Sequence, residues 1–287
     1  LGANGDERVA EAQTQREYWS GRVGDAWAAY ADRMDAMLAP LTEAALAAGA
    51  FQAGQRVLDI GCGAGDTSIA IARRVGATGA VTGVDLSPQL LAVARERSKT
   101  ARASVEFLEA DVSETAFDHA FDAVFSRFGI MFFDAPARAF AHIRSQTRAD
   151  GRLVFVCWRN SADNDWATIP ISAITPILTA PLPPPNPDAP GPYAFADGGK
   201  VERILREAGW RDIALTPWDG GLSVAGGGTL DDIAAFLMRI GPCARAIADQ
   251  GLDADAVRQR LIDRLAPRHK DGAVMLQAAC WIVTARA

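Results

Sequence analysis

Four carboxylates and three glycines carry the chemistry that can be read first. The run VLDIGCGAGD, Val57 to Asp66, sets Gly61, Gly63 and Gly65 at alternate positions directly after an apolar stretch that contains Asp59. Backbone without side chains lets another group come close, and a helix starting just beyond offers free N–H groups and a positive dipole end. Asp85 closes a second apolar run and Asp111 a third. A carboxylate at Asp85 is placed to accept both hydroxyls of an adenosine ribose. These residues suit a nucleotide-like cofactor, and the spacing narrows which one. A nicotinamide dinucleotide asks for G-x-G-x-x-G, whereas Asp66 stands where its third glycine belongs. A P-loop fits less well, because no Gly-Lys-Ser/Thr follows.

Such a site needs strands that end together, and the pattern from Gln55 onward supplies them. RVLDIG, AVTGVDL, SVEFLEAD, FDAVFSRF, GRLVFVCWR and RDIALTPW read as short buried strands, and GAVMLQAACWIVTARA as a long last one. Between them DTSIAIARRVG, SPQLLAVARERSKTA, DAPARAFAHIRSQTR and DGGKVERILREAGW read as helices. Ser87 is an N-cap with Pro88 at the first helical position; Asp134 and Asp197 are the expected caps of the later two. Strands alternating with helices predict parallel βαβ units covered on both faces. Outside that alternation lie an N-terminal helical region, residues 1–50, and insertions at about 160–196 and 229–268. In the first of these, Trp27, Tyr30, Met34, Met37, Leu38, Leu41 and Ala45 form one apolar stripe that Pro40 is expected to bend or divide. PLPPPNPDAPGPYAFAD predicts an ordered surface loop, and TLDDIAAFLMRIG and DADAVRQRLIDRLAP two further helices, the former opening on a Thr229–Asp232 capping box. These three regions are expected to form a helical lid on a domain spanning residues 51–287.

Composition limits the partners. A formal charge of −6, with arginines grouped on alanine-rich helix faces, argues against a phosphate-tracking surface and hence against nucleic acid. No apolar run approaches the roughly 18 residues of a membrane span, and LGANGDERVAEAQTQREYW is too polar for a secretion signal. The expected setting is the cytoplasm. Cys62, Cys157, Cys243 and Cys280 are widely spaced without C-x-x-C, which supports neither zinc nor a disulfide framework.

Taken in order, VLDIGCGAGDTSIAIA resembles motif I of the class I S-adenosylmethionine-dependent methyltransferases, and VTGVDLSPQLLAVAR their second motif. FLEADVSE, FDAVFSRFGIMFFDAP and GRLVFVCWR are similar to the following strand motifs, so the likeness covers about residues 50–160. Within that superfamily the chain looks closest to the ubiquinone/menaquinone-biosynthesis C-methyltransferases. The resemblance implies an α/β, Rossmann-like seven-stranded sheet, mostly parallel with the last strand antiparallel. It implies S-adenosyl-L-methionine as cofactor and S-adenosyl-L-homocysteine as product. Asp59 would bind the methionine ammonium, directly or through water; Gly61 and Gly63 would admit the aminoacyl end and Thr67 reach its carboxylate. Asp85 would hold the ribose and Leu86 pack on adenine. Asp111 and the Val112 backbone would read the adenine edge, the Ser126 carbonyl would close over the ammonium, and Trp19 and Trp27 would cover the methyl donor.

The acceptor is less legible. Sulfonium methyl transfer is chiefly a matter of positioning, so no side chain is singled out as catalytic. His119, His142 and His269 read as surface residues. Arg127 and Arg159, just past the fourth and fifth strands, are placed to meet a substrate or to form structural ion pairs; Phe128, Met131, Trp158 and Trp166 suit an apolar pocket. SRFG after the fourth strand departs from the [DN]-P-P-[YF] of adenine- and glutamine-methylating enzymes. Scattered cysteines and carboxylates match neither arsenic-methylating relatives nor a magnesium-assisted site, so no metal is expected. What remains is a small apolar or aromatic metabolite, methylated on carbon, oxygen or nitrogen, with room for a homodimer. Two other readings stand beside it: a nicotinamide-dependent oxidoreductase, and a protein that binds S-adenosylmethionine without transferring methyl.

Overall fold

A computed structural model of the chain describes residues 14–184 and 186–287. The first thirteen residues of the expected N-terminal lid lie outside that description. Three helices come first: α1 (Gln15–Ser20), α2 (Arg22–Ala29) and α3 (Ala31–Gly49). Thr14 and Glu17 cap α1 reciprocally. The expected division at Pro40 is not found. α3 runs through Pro40, and the break falls at Tyr30, with φ −107° and ψ 14°. One missing N–H costs a single helical bond, and the neighbours Met37, Leu38 and Leu41 are buried deeply enough to hold the helix regardless.

The alternation then unfolds as β1 (Arg56–Ile60), α4 (Asp66–Val75), β2 (Ala80–Asp85), α5 (Pro88–Ala101), β3 (Glu106–Glu109), β4 (Phe121–Arg127), α6 (Pro136–Ser145) and β5 (Thr147–Trp158). After it come α7 (Asp165–Ile174), α8 (Gly198–Glu207), β6 (Arg211–Ser223), α9 (Leu230–Leu237), α10 (Pro242–Gln250), α11 (Ala254–Leu265), β7 (His269–Lys270) and β8 (Ala273–Arg286). The caps read from sequence at Ser87, Asp197 and Thr229–Asp232 are all made. Asp134 is the exception: α6 begins at Pro136 with Ala135 as N-cap and no side-chain bond.

The strands form one sheet in the order β3-β2-β1-β4-β5-β8-β6, with the two-residue β7 paired to β8 alone. β1 to β5 run parallel, and β8 is antiparallel to both β5 and β6. This is the mostly parallel sheet with a reversed last strand that the resemblance implied. Leu153 to Cys157 of β5 are consecutive and wholly buried, as they must be where both faces are covered. Strand order reverses between β1 and β4, the place where open α/β sheets leave a crevice beyond their strand ends. Register pairs Ile60 with Val84 and Asp59 with Phe125, so the ends of β1, β2 and β4 arrive together.

Two helices have no counterpart in the sequence reading. α7 carries Pro170 and is apolar on most sides; α10 is short and alanine-rich. α7 touches α10, α11 and β8, and α11 touches α9, so both insertions meet in one helical cluster. Asn164 fastens that cluster to the sheet. Its buried Oδ1 accepts from the Ala279 N–H at 2.9 Å and the Trp166 indole at 3.0 Å, while its Nδ2 donates to the Asn160 and Ala279 carbonyls. Among the described residues no helix is long and apolar enough to cross a membrane. Replacing Asn164 by Ala strands two buried donors, so urea unfolding should show a loss of about 2–3 kcal/mol. An unchanged midpoint would show that the staple contributes nothing.

Candidate active site

Each glycine of the first turn has a different neighbour. Gly61 (φ 64°) faces backbone: a Cβ there would lie 2.6 Å from the Cα of Gly129. Gly65 (φ 82°) faces packing, with Ala94 of α5 at 2.9 Å and Phe107 of β3 at 3.1 Å from such a Cβ. Gly63 (φ 52°) faces open space, with nothing within 4 Å. The turn is pinned from β2, where the Val84 carbonyl accepts from Gly61 and Cys62 N–H at 2.8 and 3.1 Å.

Asp85 holds the open glycine. Its Oδ2 accepts the Gly63 N–H at 2.8 Å and its Oδ1 the Ser87 N–H at 2.9 Å. Burial pushes the Asp85 carboxyl above the ordinary range despite these bonds. One strand further on, Asp111 accepts from the Ser113 N–H and hydroxyl at 2.9 and 2.6 Å, fixing the turn after β3. Gly61, Gly63, Asp85, Leu86, Asp111 and Val112 all line one cavity of about 310 Å³, within the range of small-molecule sites. Trp19 and Trp27 line it from the N-terminal helices, Arg127 and Phe128 from the end of β4. Ten of the candidate residues therefore share one space.

The other seven do not line it. Asp59 is wholly buried beneath the turn, its Oδ2 accepting from the Thr67 and Ser68 hydroxyls at 2.7 and 2.6 Å. Its Oδ1 has no hydrogen-bond partner. Desolvation pushes this carboxyl up to about 6, against the pull of the two hydroxyls and of Arg127. Ser126 is buried with its hydroxyl on the Ile60 carbonyl at 2.8 Å. Met131 and Trp158 are buried outside the lining; Trp158 stacks on Phe128 at 4.2 Å and meets Trp166 at 4.7 Å. Arg159 is spent on Asp219 at 2.8 Å and lies over the Trp281 ring at 5.2 Å. Arg127, although on the wall, is ion-paired to Asp35 and Asp66 at 2.7 and 3.2 Å.

The outer wall holds residues that periodicity does not pick out. Phe133, Asp134, Arg138 and Glu114 line it, and Gln15 joins Trp19 above. Trp19 meets Trp27 and Phe132 edge-on at 5.5 and 5.1 Å, so an apolar collar narrows the mouth. The available signal was the FGIMFFDAP run itself, whose aromatics follow β4 without helical or strand spacing. His142 and His269 bond the Thr115 and Gly228 carbonyls at 2.8 and 2.9 Å, and neither lines the cavity. No group of three or more His, Cys, Asp or Glu side chains among the described residues could hold a metal.

Two measurements test this geometry. Gly61→Ala and Gly63→Ala share the cost of a positive φ, so their difference reads the contact with Gly129. Gly61→Ala should lower the thermal midpoint clearly more, and equal losses would refute the close approach. For Asp59 the sign follows from its raised carboxyl. The unfolded chain ionises near its ordinary 3.8 and the folded chain near 6, so the stability Asp59 contributes is complete below about 4 and lost as pH rises through 6. The loss is of order 3 kcal/mol at one pKa unit per 1.36 kcal/mol. Asp59→Asn keeps an acceptor for both hydroxyls and should be more stable than the native protein at pH 7.5 but not at pH 4. Denaturant titrations at the two pH values decide it.

Comparison with known proteins agrees with this architecture. Residues 57–151 match the family described as "Methyltransferase domain". An uncharacterized protein of Mycobacterium tuberculosis is 33% identical over 153 residues, 53% of each chain. The 2-phytyl-1,4-naphtoquinone methyltransferase of Nostoc punctiforme is 44% identical over 84 residues, 28% of this chain and 36% of that one. The chain thus spans about half the length, or less, of these curated relatives. Among solved structures, the [4+2]-cyclase SpnF superposes with a TM-score of 0.53 at 19% identity, covering 96% of both chains. Phosphoethanolamine N-methyltransferase 2 of Haemonchus contortus, in complex with phosphomonomethylethanolamine and S-adenosylhomocysteine, gives 0.53 at 18% identity, covering 96% of this chain and 60% of that one. These two structures share the fold. The segment that builds the glycine turn and the carboxylate-bearing strand ends is the one that matches this family, residues 57–151.

Proposed function

We propose that this protein transfers the methyl group of S-adenosyl-L-methionine to a small apolar or aromatic metabolite. The observation that carries the reading is Gly63: open to the cavity, with its N–H held by a carboxylate rather than left free for an anion. A dinucleotide pyrophosphate would want those N–H groups. Here Asp59 lies beneath the turn with one oxygen unpartnered, which favours a cationic group beside it, while Asp85 and Asp111 line the cavity as acceptors for neutral hydroxyl and amino groups. A sulfonium and an ammonium meet that condition. The nicotinamide reading is therefore disfavoured.

In the cavity Asp85 holds the ribose hydroxyls with the lone pairs left after Gly63 and Ser87. Leu86 packs on the adenine, and Asp111 with the Val112 N–H faces its edge. Asp59, with Thr67 and Ser68 bonded to it, acts on the ammonium through water from below the turn. Its unpartnered Oδ1 is the atom suited to that role. When bound, S-adenosylmethionine supplies an electrophilic methyl group and leaves as S-adenosylhomocysteine. Trp19 and Trp27 exclude water above it, and their π faces suit a sulfonium. Phe132 and Phe133 give the acceptor an apolar approach. Of the three helical regions outside the alternation, the N-terminal one supplies Gln15, Trp19 and Trp27 to the cavity and acts as the lid, whereas no described residue of the two insertions lines it.

Calorimetric titration separates the readings. S-adenosylhomocysteine should bind and NAD(H) should not; binding of NAD(H) alone would sink the proposal. Asp85→Ala should weaken S-adenosylhomocysteine by about tenfold or more, as expected when a charge-assisted pair of hydrogen bonds is lost. Unchanged affinity would refute the ribose assignment. A protein that binds the cofactor without transferring methyl is the second reading. Release of S-adenosylhomocysteine in the presence of an acceptor decides between the two.

A further inference from the structure

Arg127 lines the cavity but spends its guanidinium on the protein. Nη1 donates to the Thr42 hydroxyl at 2.6 Å and to Asp66 at 3.2 Å, and Nη2 donates to Asp35 at 2.7 Å. The second oxygen of Asp35 accepts from Arg97 Nη1 at 2.8 Å. That same nitrogen reaches the Ala64 carbonyl at 3.2 Å, inside the glycine turn, and Arg97 Nη2 pairs with Asp32. Four elements meet in this cluster: α3 brings Asp32, Asp35 and Thr42, α4 brings Asp66, β4 brings Arg127 and α5 brings Arg97. The side chains of Arg127, Asp35 and Arg97 are only 13%, 17% and 22% exposed.

Stability does not explain such a cluster. Desolvating several charges costs about as much as their pairing returns, and apolar replacements are often as stable. What the cluster does supply is location. Arg127 is gripped from α3 and α4, so its side chain stays against the wall. Arg97 grips the turn one residue beyond the open Gly63. Among the described residues, Asp35 alone bonds both arginines.

We propose that Asp35 is a positioning residue for the cofactor site. From a helix outside the methyltransferase segment, and without lining the cavity, it holds Arg127 in the wall and, through Arg97, the glycine turn at Ala64. The inference rests on reading the cavity as the S-adenosylmethionine site. It makes the N-terminal helices set cofactor affinity from the side of the turn, in addition to roofing the cavity.

The test is calorimetric titration of S-adenosylhomocysteine into the whole chain and four variants: Asp35→Asn, Arg97→Gln, their double, and Asp122→Asn. The last is a control for general destabilisation. Asp122 is also mostly buried and also pairs an arginine, Arg148, but at the opposite end of β4. Asp35→Asn should raise Kd about tenfold, with the double variant no weaker than Asp35→Asn alone, because the two residues act as a unit. Asp122→Asn should bind as the native chain does, even where it melts earlier. If Asp35→Asn does not fold, Arg97→Gln carries the same comparison and should weaken binding about fivefold. Native affinity in these variants, strictly additive losses, or an equal loss in Asp122→Asn would each overturn the role of Asp35 while leaving the cofactor reading intact. A native chain that fails to bind S-adenosylhomocysteine would overturn both.

Discussion

Two backbones meet where the sheet reverses its strand order, and much of the site follows from that contact. A Cβ on Gly61 would lie 2.6 Å from the Gly129 Cα, and one on Gly129 would lie 2.8 Å from the Gly61 Cα. Neither position has room for a side chain. With the turns after β1 and β4 pressed together, the free volume opens beside Gly63. Delivering Gly129 to that contact places Phe128 at φ 71°, a conformation that costs a bulky residue about 1–3 kcal/mol. The ring's stack on Trp158, at 4.2 Å and 11°, offsets part of that cost.

The motif residues could be read from the chain because each has a local cause. A capping serine before a proline, alternate glycines after an apolar run, and a carboxylate at a strand end are signals within a few residues. The division of labour among the glycines was not legible. The partners of Gly61 and Gly65 come from the turn after β4, from α5 and from β3, far along the chain. Arg127 shows the same limit: its ion pair with Asp35 spans 92 residues, so the sequence could offer only two alternatives, substrate contact or structural pair. It lines the wall and is paired as well. α7 leaves no helical signature in the sequence because Pro170 and its apolar surroundings mask the periodicity. Pro40 signals a bend or a division by its local propensity, whereas α3 continues through it because of a burial that only the fold supplies.

The acids of the site are held under tension. Asp59 and Asp85 are both pushed up by burial; the neighbouring Cys62 thiol is raised first by its own burial and then by Asp85 and Asp59. The turn thus rests on negative charge kept away from water, stabilised by hydroxyls, N–H groups and one distant guanidinium. Positive charge arriving in the cavity relieves part of this cost, which couples occupancy of the site to the stability of its floor.

The chain of ring contacts Phe128–Trp158–Trp166, anchored through Asn164 to β8, has a consequence of its own. It is a stiff bridge from the cavity wall to the insertion after β5, the part of the chain outside the strand–helix alternation. Changes of length or composition in that insertion can be transmitted to the wall by the tilt of two rings, without touching the strand ends that carry Asp59, Asp85 and Asp111. One side of the cavity can therefore be reshaped from the insertion while the strand ends on the other side stay as they are.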